Sequence, residues 1–533
     1  MSVAAALRAA GEVAGTRAAV VQGDRRISHA ELHVRASRVA GTLAARGVGQ
    51  GDVVAVGLHN SPEYLETVLA AFVLGAVPVN INYRYREPEL RYVLEYTDAV
   101  AVVHDDALAD RLANVTGELP GLKAVLGVGP ATAGSYDEAA TTGPARVLSG
   151  ADSPHGIILL TGGTTGRPKG VIWDRDGLLG ILCSVFRQRG LPAPATPAEV
   201  RAAVAALAER DVTPVVLPMS PLMHGTGFFH AVRTLLGGGT VCFATSRSLD
   251  GHEVWQAVQD HRITDMVIVG DAFGRPLVAA LAEAERSGRP YDISSLARMN
   301  SSGVIWSVDV KRALLERGSM TLVDQISASE GGPFGVAEAR TAADLADGRF
   351  ALASVARVLD EDDQDVRPGS GQVGVLASSG PQPVGYLKDP ERTARTWRVI
   401  DGVRYAVPGD LASLDADGKL VLLGRGDGVI NTGGEKVFPE EVEQALLAHP
   451  AITDAVVFGT PDPRWGATVT AMVAPAGALS GITDDELTAH LDGQLARYKH
   501  PRRLVRTDTI PRTPAGKLNR SLAREIAAQE AAR

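Results

Sequence analysis

The sequence predicts an α/β protein with a large N-terminal domain and a small C-terminal domain. Short runs of Val, Ile and Leu alternate with longer stretches of helical periodicity through about residue 420, which is typical of layered helices and mostly parallel, buried strands. Near Gly424 the chain becomes rich in Gly and Asp, and a second alternation of strands and helices follows. We therefore predict an N-terminal domain of layered α/β subdomains over residues 1–424 and a mobile α+β domain over residues 425–533.

The elements can be placed in order along the chain. The apolar stretch Val68–Val79 is interrupted by Gly75 and Pro78 and is too short to cross a membrane, so it predicts a buried helix that turns into a strand. The alanine-rich stretch Ala198–Arg210 predicts an amphipathic surface helix. A helix is also predicted over Asp484–Leu495. Strands are predicted at residues 53–58, 100–103, 157–160, 215–217, 266–269, 455–458 and 468–473.

Composition and charge exclude several classes of protein. The 533 residues are 45% hydrophobic and 22% charged, which disfavours a disordered chain or a coiled coil. The formal net charge of −9 gives no bulk electrostatic basis for binding nucleic acid or an anionic membrane. Cys183 and Cys242 are too few for a disulfide framework and are expected to be core residues. With no apolar stretch for a signal peptide near Arg8 and Glu12, a cytoplasmic location is predicted.

The most informative segment is Thr161–Gly170, directly after the predicted strand at 157–160. Its glycines allow close backbone approach, and its N–H groups and threonine hydroxyls can converge on a polyphosphate. The segment lacks the spacing of a Walker A loop. A flexible surface turn is the alternative interpretation. The residues predicted to bind phosphate are Thr161, Gly162, Gly163, Thr164, Thr165, Gly166 and Lys169.

Thr161–Gly170 resembles the phosphate-binding signature of the AMP-forming adenylating enzymes, which include acyl- and aryl-CoA synthetases, peptide-synthetase adenylation domains and beetle luciferases. The resemblance covers nearly the whole chain. Within the family, the sequence looks most like actinobacterial fatty-acyl and steroid side-chain CoA ligases. The commoner members have Ser where Gly162 stands and Thr where Pro408 stands. Five further segments follow in the family's order, namely Pro221–Gly225, Ser327–Glu330, Pro408–Asp410, Gly424–Asp427 and Pro511–Lys517.

The resemblance implies a nucleotide site with a divalent metal. Glu330 would hold the Mg²⁺ that bridges the phosphates of ATP, because a carboxylate is a hard oxygen ligand. Asp410 would accept the ribose hydroxyls, and Arg425 would support the ribose and phosphates. Ordinary solvated loop residues are the alternative for all three. Further residues implied in the site are Gln325 and Ser329, which would contact the nucleotide, and Thr165, which would act in catalysis.

The resemblance implies that the C-terminal segment takes part in both steps of a two-step reaction. Lys517 resembles the lysine that a mobile domain brings to the α-phosphate. Asp427 matches the family's hinge between an adenylating and a thioester-forming pose. Gly434 and Lys436 resemble a loop that contacts the pantetheine arm of CoA. A solvated lysine and a glycine-rich turn are the respective alternatives.

A pocket for the second substrate is predicted around His224, which the resemblance places on the acyl and pantetheine tunnel; a structural histidine is the alternative. The stretch Ser301–Ile305 departs from the family's Gly/Ala-rich sequence, so the resemblance does not predict the depth of the pocket. The histidines lack metal-ligand spacing, so no zinc site is predicted. The predicted pocket residues are Phe228, Phe229, Gly270, Asp271, Ser302 and Gly303.

These residues imply an acyl-CoA ligase that uses ATP, Mg²⁺ and CoA. A small-molecule acid would form an acyl-adenylate with release of pyrophosphate, and a thiol would then displace AMP. The main alternative is a diazotase that adenylates nitrite and transfers it to an arylamine. Carrier-protein loading, adenylate release and an inactive ATP-binding regulator also stay open. No nucleic acid or membrane span is expected, and the resemblance is compatible with a homodimer.

Overall fold

The fold is seen in a computed structural model. It describes residues 1–130, 135–146, 153, 155–161, 168–303, 306–345, 349–425, 428–432, 435–462, 466–475, 483–492, 494–495, 497–513 and 518–531. Several residues that the sequence predicts to be functional lie outside these ranges, namely Gly162, Gly163, Thr164, Thr165, Gly166, Asp427, Gly434 and Lys517. Within the described ranges, no helix is both long and apolar enough to span a membrane.

The first part of the chain alternates helices and strands. α3 begins after Ser61, whose side chain accepts a hydrogen bond from the Tyr64 N–H, and it ends at Gly75 in the left-handed conformation (φ 67°). The predicted helix that turns into a strand is thus confirmed. The elements are α1 (Val3–Ala14), β1 (Ala18–Gln22), β2 (Arg25–Ser28), α2 (His29–Ala45), β3 (Val53–Gly57), α3 (Pro62–Leu74), β4 (Val77–Asn80), α4 (Glu87–Tyr96), β5 (Ala99–Asp105), α5 (Ala109–Thr116), β6 (Ala124–Val128) and α6 (Ser135–Thr142).

The middle of the chain continues the alternation. α9 packs against α1, and its buried residues Val200, Val204 and Leu207 recur at helical spacing, as predicted for an amphipathic helix. The elements are β7 (His155–Thr161), β8 (Lys169–Asp174), α7 (Arg175–Leu182), α8 (Ser184–Arg187), α9 (Pro197–Glu209), β9 (Val215–Pro218), α10 (Gly225–Leu236), β10 (Thr240–Phe243), α11 (Gly251–His261), β11 (Asp265–Ile268), α12 (Asp271–Arg286), β12 (Arg298–Ser302), α13 (Val308–Leu315) and β13 (Thr321–Ala328).

Residues 331–425 differ from the expected parallel arrangement, because their strands pair antiparallel. Most of these strands are joined by turns and loops, and only a helical crossover of a dozen or more residues allows parallel pairing. The elements are β14 (Gly331–Ala339), β15 (Arg349–Leu352), β16 (Ala356–Leu359), β17 (Gly374–Ser378), β18 (Gly385–Tyr386), α14 (Pro390–Thr396), β19 (Trp397–Ile400), β20 (Val403–Ala406), β21 (Asp410–Leu414) and β22 (Leu420–Arg425).

The last part of the chain forms its own sheet, in the order β24-β23-β26-β25 with β27 beside β26. Both strands predicted here lie within β25 and β26, and the predicted helix ends at Asp492. Its own apolar core includes Val457, Ala471 and Leu487. The elements are β23 (Ile430–Thr432), β24 (Glu435–Val437), α15 (Pro439–Leu447), β25 (Ile452–Asp462), β26 (Gly466–Pro475), α16 (Asp484–Asp492), β27 (Arg503–Arg506) and α17 (Arg520–Ala531).

Two sheets organise the first 425 residues. One runs β18-β8-β7-β4-β3-β5-β6, and the other runs β19-β20-β17-β21-β22-β15-β14-β13-β12-β11-β9-β10-β1-β2. Helix α3 packs on β3 and β4 of the first sheet and on β1 of the second, so it lies between them. The parallel strands β4, β7, β11, β12 and β13 carry their carboxyl ends toward one region, where open α/β sheets bind ligands.

Candidate active site

A cleft of about 2640 Å³ lies beside the carboxyl ends of the parallel strands of both sheets. It is bordered by Asn80 after β4 and by Ser302 at the end of β12. The cleft also reaches α15 and α17 of the C-terminal part. It brings together many residues predicted from the sequence, namely Thr161, Lys169, His224, Phe229, Asp271, Ser302, Gly303, Gln325, Ser329, Glu330 and Asp410.

The glycine-rich segment connects two antiparallel strands at the edge of this cleft. Thr161 of β7 pairs with Lys169 of β8 in an antiparallel ladder, and both residues border the cleft. The Leu160 N–H donates to Asn80 Oδ1 at 2.7 Å, which ties the end of β7 to the end of β4. The Lys169 ammonium is buried and has no hydrogen-bond partner among the described residues. A buried cation without a partner is costly, so an anion bound here would stabilise it.

Glu330 occupies the short turn between β13 and β14, with only 8% of its surface exposed. The Tyr386 hydroxyl donates to Glu330 Oε1 at 2.7 Å, and the Trp397 Nε1–H donates to the Glu330 carbonyl oxygen at 3.1 Å. Both aromatic residues lay outside the sequence predictions. Tyr386 thus orients the carboxyl group, and Trp397 holds the backbone of Glu330.

The donor set at Glu330 fits a magnesium ion held partly by phosphate. No group of three or more His, Cys, Asp or Glu side chains in the described ranges could hold a metal by itself. Mg²⁺ is usually bound by one or two carboxylates together with substrate phosphates and water. A single buried carboxylate in the same cleft as the unpartnered Lys169 ammonium is compatible with that requirement.

Asp410 and Arg425 lie on adjacent strands. Asp410 is the first residue of β21, and the backbone of Arg425, the last residue of β22, pairs with it directly. Asp410 borders the cleft. Lys436 lies in β24, which pairs with β23.

The wall predicted around His224 is formed by one face of α10. Thr226, Phe229, His230 and Arg233 border the cleft at helical spacing. Phe228 does not, because it projects from another side of α10 and is fully buried in the core. Of the other predicted wall residues, Asp271, Ser302 and Gly303 border the cleft. Gly270 is not among its lining residues; its N–H donates to Ser301 Oγ at 3.0 Å.

The two neighbouring phenylalanines are therefore expected to respond differently to truncation. Phe228→Ala removes a fully buried ring and should destabilise the fold by about 3–5 kcal/mol. Phe229→Ala, whose ring meets Trp173 edge-on at 5.2 Å, should cost less stability and raise the KM of the second substrate. Urea unfolding and steady-state kinetics measure the two effects. A larger KM change for Phe228→Ala than for Phe229→Ala would contradict this placement.

Two charged pairs border the same cleft. The sequence predicts Asp271 as a pocket residue, but it does not predict the ion pair of Asp271 with Arg275 or the buried pair of Lys311 with Asp324. Lys311 Nζ lies 2.7 Å from Asp324 Oδ2, and Arg275 lies 3.0 Å from Asp271. Burial raises the pKa of Asp324, while the Lys311 ammonium opposes the shift. The pocket wall is thus polar on the side formed by α12, α13 and β13.

A carboxyl cluster lies where β22 meets α15. Arg520 donates to Glu440 and to Glu443, with N–O distances of 2.8 Å. Gly424 has a φ of 94°, which favours glycine, and a Cβ added there would fall 1.8 Å from Glu440 Oε2. Burial raises the pKa of Glu443 from its ordinary value of 4.5 to about 7.

This raised pKa predicts a pH-dependent stability. A carboxyl group with a higher pKa in the folded state contributes stability that is present below the unfolded value of 4.5 and is lost as pH rises through about 7. The unfolding midpoint should therefore fall by a few degrees between pH of about 5 and about 8 through this group. Glu443→Gln should weaken that decline. Thermal unfolding of both proteins across this range isolates Glu443, because the other titrating groups are shared; equal slopes would contradict the prediction.

Comparison with known proteins identifies the family. The AMP-binding enzyme family matches residues 7–386, and the AMP-binding enzyme C-terminal domain matches residues 441–517. The chain belongs to the AMP-binding enzyme family. The first matched region of this AMP-binding enzyme contains the segment Thr161–Gly170 and Glu330, and the second ends at Lys517.

Curated relatives of this AMP-binding enzyme match almost end to end. A medium/long-chain-fatty-acid–CoA/3-oxocholest-4-en-26-oate–CoA ligase of Mycolicibacterium smegmatis is 37% identical over 521 residues, covering 96% of this chain and 93% of the relative. A 3-oxocholest-4-en-26-oate–CoA ligase of Rhodococcus rhodochrous is 38% identical over 515 residues, covering 94% and 91%.

Solved structures support the fold of this AMP-binding enzyme. ATP-bound MatB from Rhodopseudomonas palustris superposes with a TM-score of 0.79 at 27% identity, covering 99% of each chain. The anthranilate CoA ligase AuaEII in complex with anthranoyl-AMP superposes with a TM-score of 0.83 at 20% identity, covering 100% of this chain and 98% of AuaEII. At that identity, the likeness to AuaEII shows the fold alone.

Proposed function

We propose that the enzyme adenylates a carboxylic acid with ATP and then transfers the acyl group to CoA. The observation that carries this proposal is the shared cleft, which Thr161, Glu330 and Asp410 border although they come from three distant segments of the chain. The near full-length similarity to CoA ligases supports it. The buried thiols of Cys183 and Cys242 suit a reducing cytoplasm, where we propose that the enzyme works.

In the proposed first step, a carboxylate oxygen attacks the α-phosphorus of ATP, and the bond from that phosphorus to pyrophosphate breaks. Two anions must be aligned and their charges neutralised, so positioning and electrostatics carry the catalysis. The Lys169 ammonium would neutralise phosphate charge, and Asp410 would accept the ribose hydroxyls. Glu330 would hold Mg²⁺, which supplies further charge neutralisation when it is bound.

In the proposed second step, the sulfur of the CoA thiolate attacks the acyl carbonyl carbon and AMP leaves. Residues 425–533 would rotate about Asp427 between the two steps. Gly434 and Lys436 would contact the pantetheine arm, with His224 on its path. Arg425 would support the nucleotide in the adenylating pose.

The size of the pocket favours an acid over nitrite as the activated anion. The face of α10 that borders the cleft extends from Gly225 to Arg233, which corresponds to about 12 Å along the helix. We call the part of the cleft along this face the α10 branch. A triatomic anion would fill only the mouth of this branch. An acid with an extended body would use its whole length.

The proposal is tested by pyrophosphate and AMP release from the full-length protein. Aliphatic, aryl and steroid side-chain acids and nitrite are each supplied with ATP and Mg²⁺, with and without CoA or an arylamine. We expect acid-dependent pyrophosphate release, and AMP release that requires CoA. AMP release only with nitrite and an arylamine would replace the ligase by the diazotase, and inactivity with every anion would overturn both.

A further inference from the structure

The branch of the cleft along α10 is lined by polar groups at the end remote from His224. Phe229 lies near the entrance, and His230 and Arg233 lie farther along the same face of the helix. Ser184 of α8 and Asn300 of β12 also border the cleft. A pocket that held only a hydrocarbon chain would be lined by apolar side chains along its length.

Arg233 carries a positive charge that its surroundings compensate only in part. Its guanidinium donates to Ser184 Oγ at 3.3 Å. Burial lowers the pKa of Arg233 to about 10, so the group stays charged at neutral pH. Asp265 attracts it, but Asp265 Oδ2 already accepts hydrogen bonds from Arg189 at 3.2 Å and from Thr264 at 2.7 Å.

Two other guanidinium groups strengthen the positive field at this end. Arg189 and Arg298 both act on Arg233 as like charges. Arg298 faces Glu338 at 3.7 Å. Within the part of the chain that the structure describes, these three arginines are thus matched by two carboxylates, Asp265 and Glu338, which leaves one positive charge in excess.

Asn300 adds an unused hydrogen-bond donor to the branch. Only 9% of its surface is exposed, and its Nδ2 has no hydrogen-bond partner in the described ranges. A buried amide donor without an acceptor is unfavourable unless a ligand supplies one. His230 adds no positive charge, because burial lowers the pKa of its ring far below the usual value and keeps the ring neutral; its Nδ1–H donates to the Thr226 carbonyl oxygen at 2.8 Å.

We propose that the enzyme selects an acid with a second carboxylate at the end remote from the reacting carboxyl group, and that Arg233 is the specificity-determining residue that binds this second carboxylate. The inference rests on the proposed adenylation of an acid. A guanidinium group can bind a carboxylate through two parallel hydrogen bonds. Asn300 offers a further donor along the same branch.

Acids without the second carboxylate are expected to bind less well. The methyl end of a fatty acid would remove water from the Arg233 guanidinium without replacing its hydrogen bonds, which is unfavourable for a charged group. The discrimination therefore comes from the unpaired cation as well as from the new ion pair.

The test compares straight-chain α,ω-dicarboxylic acids with monocarboxylic acids of the same chain length. Pyrophosphate release should show a kcat/KM at least about tenfold higher for the preferred dicarboxylic acid, through a lower KM. Arg233→Met should abolish this preference, and Arg233→Lys should keep part of it. Calorimetric binding of the same acids, measured without turnover, should show the same order.

Arg201→Met is the matched control, because Arg201 pairs with Glu12 at 3.0 Å on the surface, outside the cleft. It should leave the acid preference unchanged. If Arg233→Met fails to fold, the preference for dicarboxylic acids, measured for the wild-type enzyme and for Arg233→Lys, still tests the inference. Equal use and equal binding of both acid classes by the wild-type enzyme would overturn the inference while leaving the ligase intact. Absence of pyrophosphate release with every acid would instead remove the proposed function, and the binding order would then decide the inference.

Discussion

Glu330→Gln is expected to lower the rate of pyrophosphate release by about 10²–10³-fold. The substitution keeps the shape of the side chain and an oxygen that can accept the Tyr386 hydroxyl, but it removes the negative charge. A neutral amide is a poorer ligand for Mg²⁺ than a carboxylate. The loss should therefore appear in the adenylation step and should diminish as the Mg²⁺ concentration is raised.

Two further variants make this experiment specific. Glu361→Gln changes an exposed carboxylate away from the cleft and should leave the rate unchanged. Tyr386→Phe removes the hydroxyl that orients Glu330 and should reduce the rate by a smaller factor. Normal pyrophosphate release by Glu330→Gln at low Mg²⁺ concentration would exclude Glu330 as the metal-holding residue.

Lys517→Ala is expected to reduce adenylation by about 10²–10³-fold while sparing the transfer of a preformed acyl-adenylate to CoA. The described residues on either side of Lys517 support its role. Thr513 and Leu518 border the cleft, and Arg512 pairs with Leu518 in an antiparallel bridge. Arg512 also donates to both carboxylate oxygens of Asp454, at 2.8 and 2.7 Å.

The two half-reactions should be measured separately. Pyrophosphate release reports the first, and thioester formation from synthetic acyl-adenylate and CoA reports the second. Lys419→Ala is a suitable control, because Lys419 is exposed in the turn between β21 and β22. Equal losses in both half-reactions would argue against a role confined to adenylation.

Local sequence signals located the residues that act through a short motif. Glu330 follows a strand in a segment rich in Gly and Ser, Asp410 follows Pro408 and Gly409 at the start of β21, and both border the cleft. The carboxyl ends of neighbouring strands meet at one edge, so residues placed there converge even when they are far apart in the chain. Sequence motifs were therefore enough to place these two candidate residues at one cleft, and their roles stay predictions.

Residues that act through long-range packing left no such signal. Tyr386 reaches Glu330 from 56 positions away, and nothing in its own segment indicates that contact. Phe228 and Phe229 are chemically identical neighbours, and the rotation of α10 against the core decides which ring borders the cleft. Arg233 did carry a signal, since it is a charged residue within the apolar run from Ala231 to Leu236.

The close approach of Glu440 to Gly424 would couple the proposed domain rotation to the binding of protons. Burial raises the pKa of Glu440, so this pose favours its protonated form relative to water. If residues 425–533 rotate as proposed, the carboxyl group of Glu440 leaves its buried position and releases a proton to the solvent. A higher pH would then lower the population of this orientation. The relative rates of the two half-reactions would therefore depend on pH.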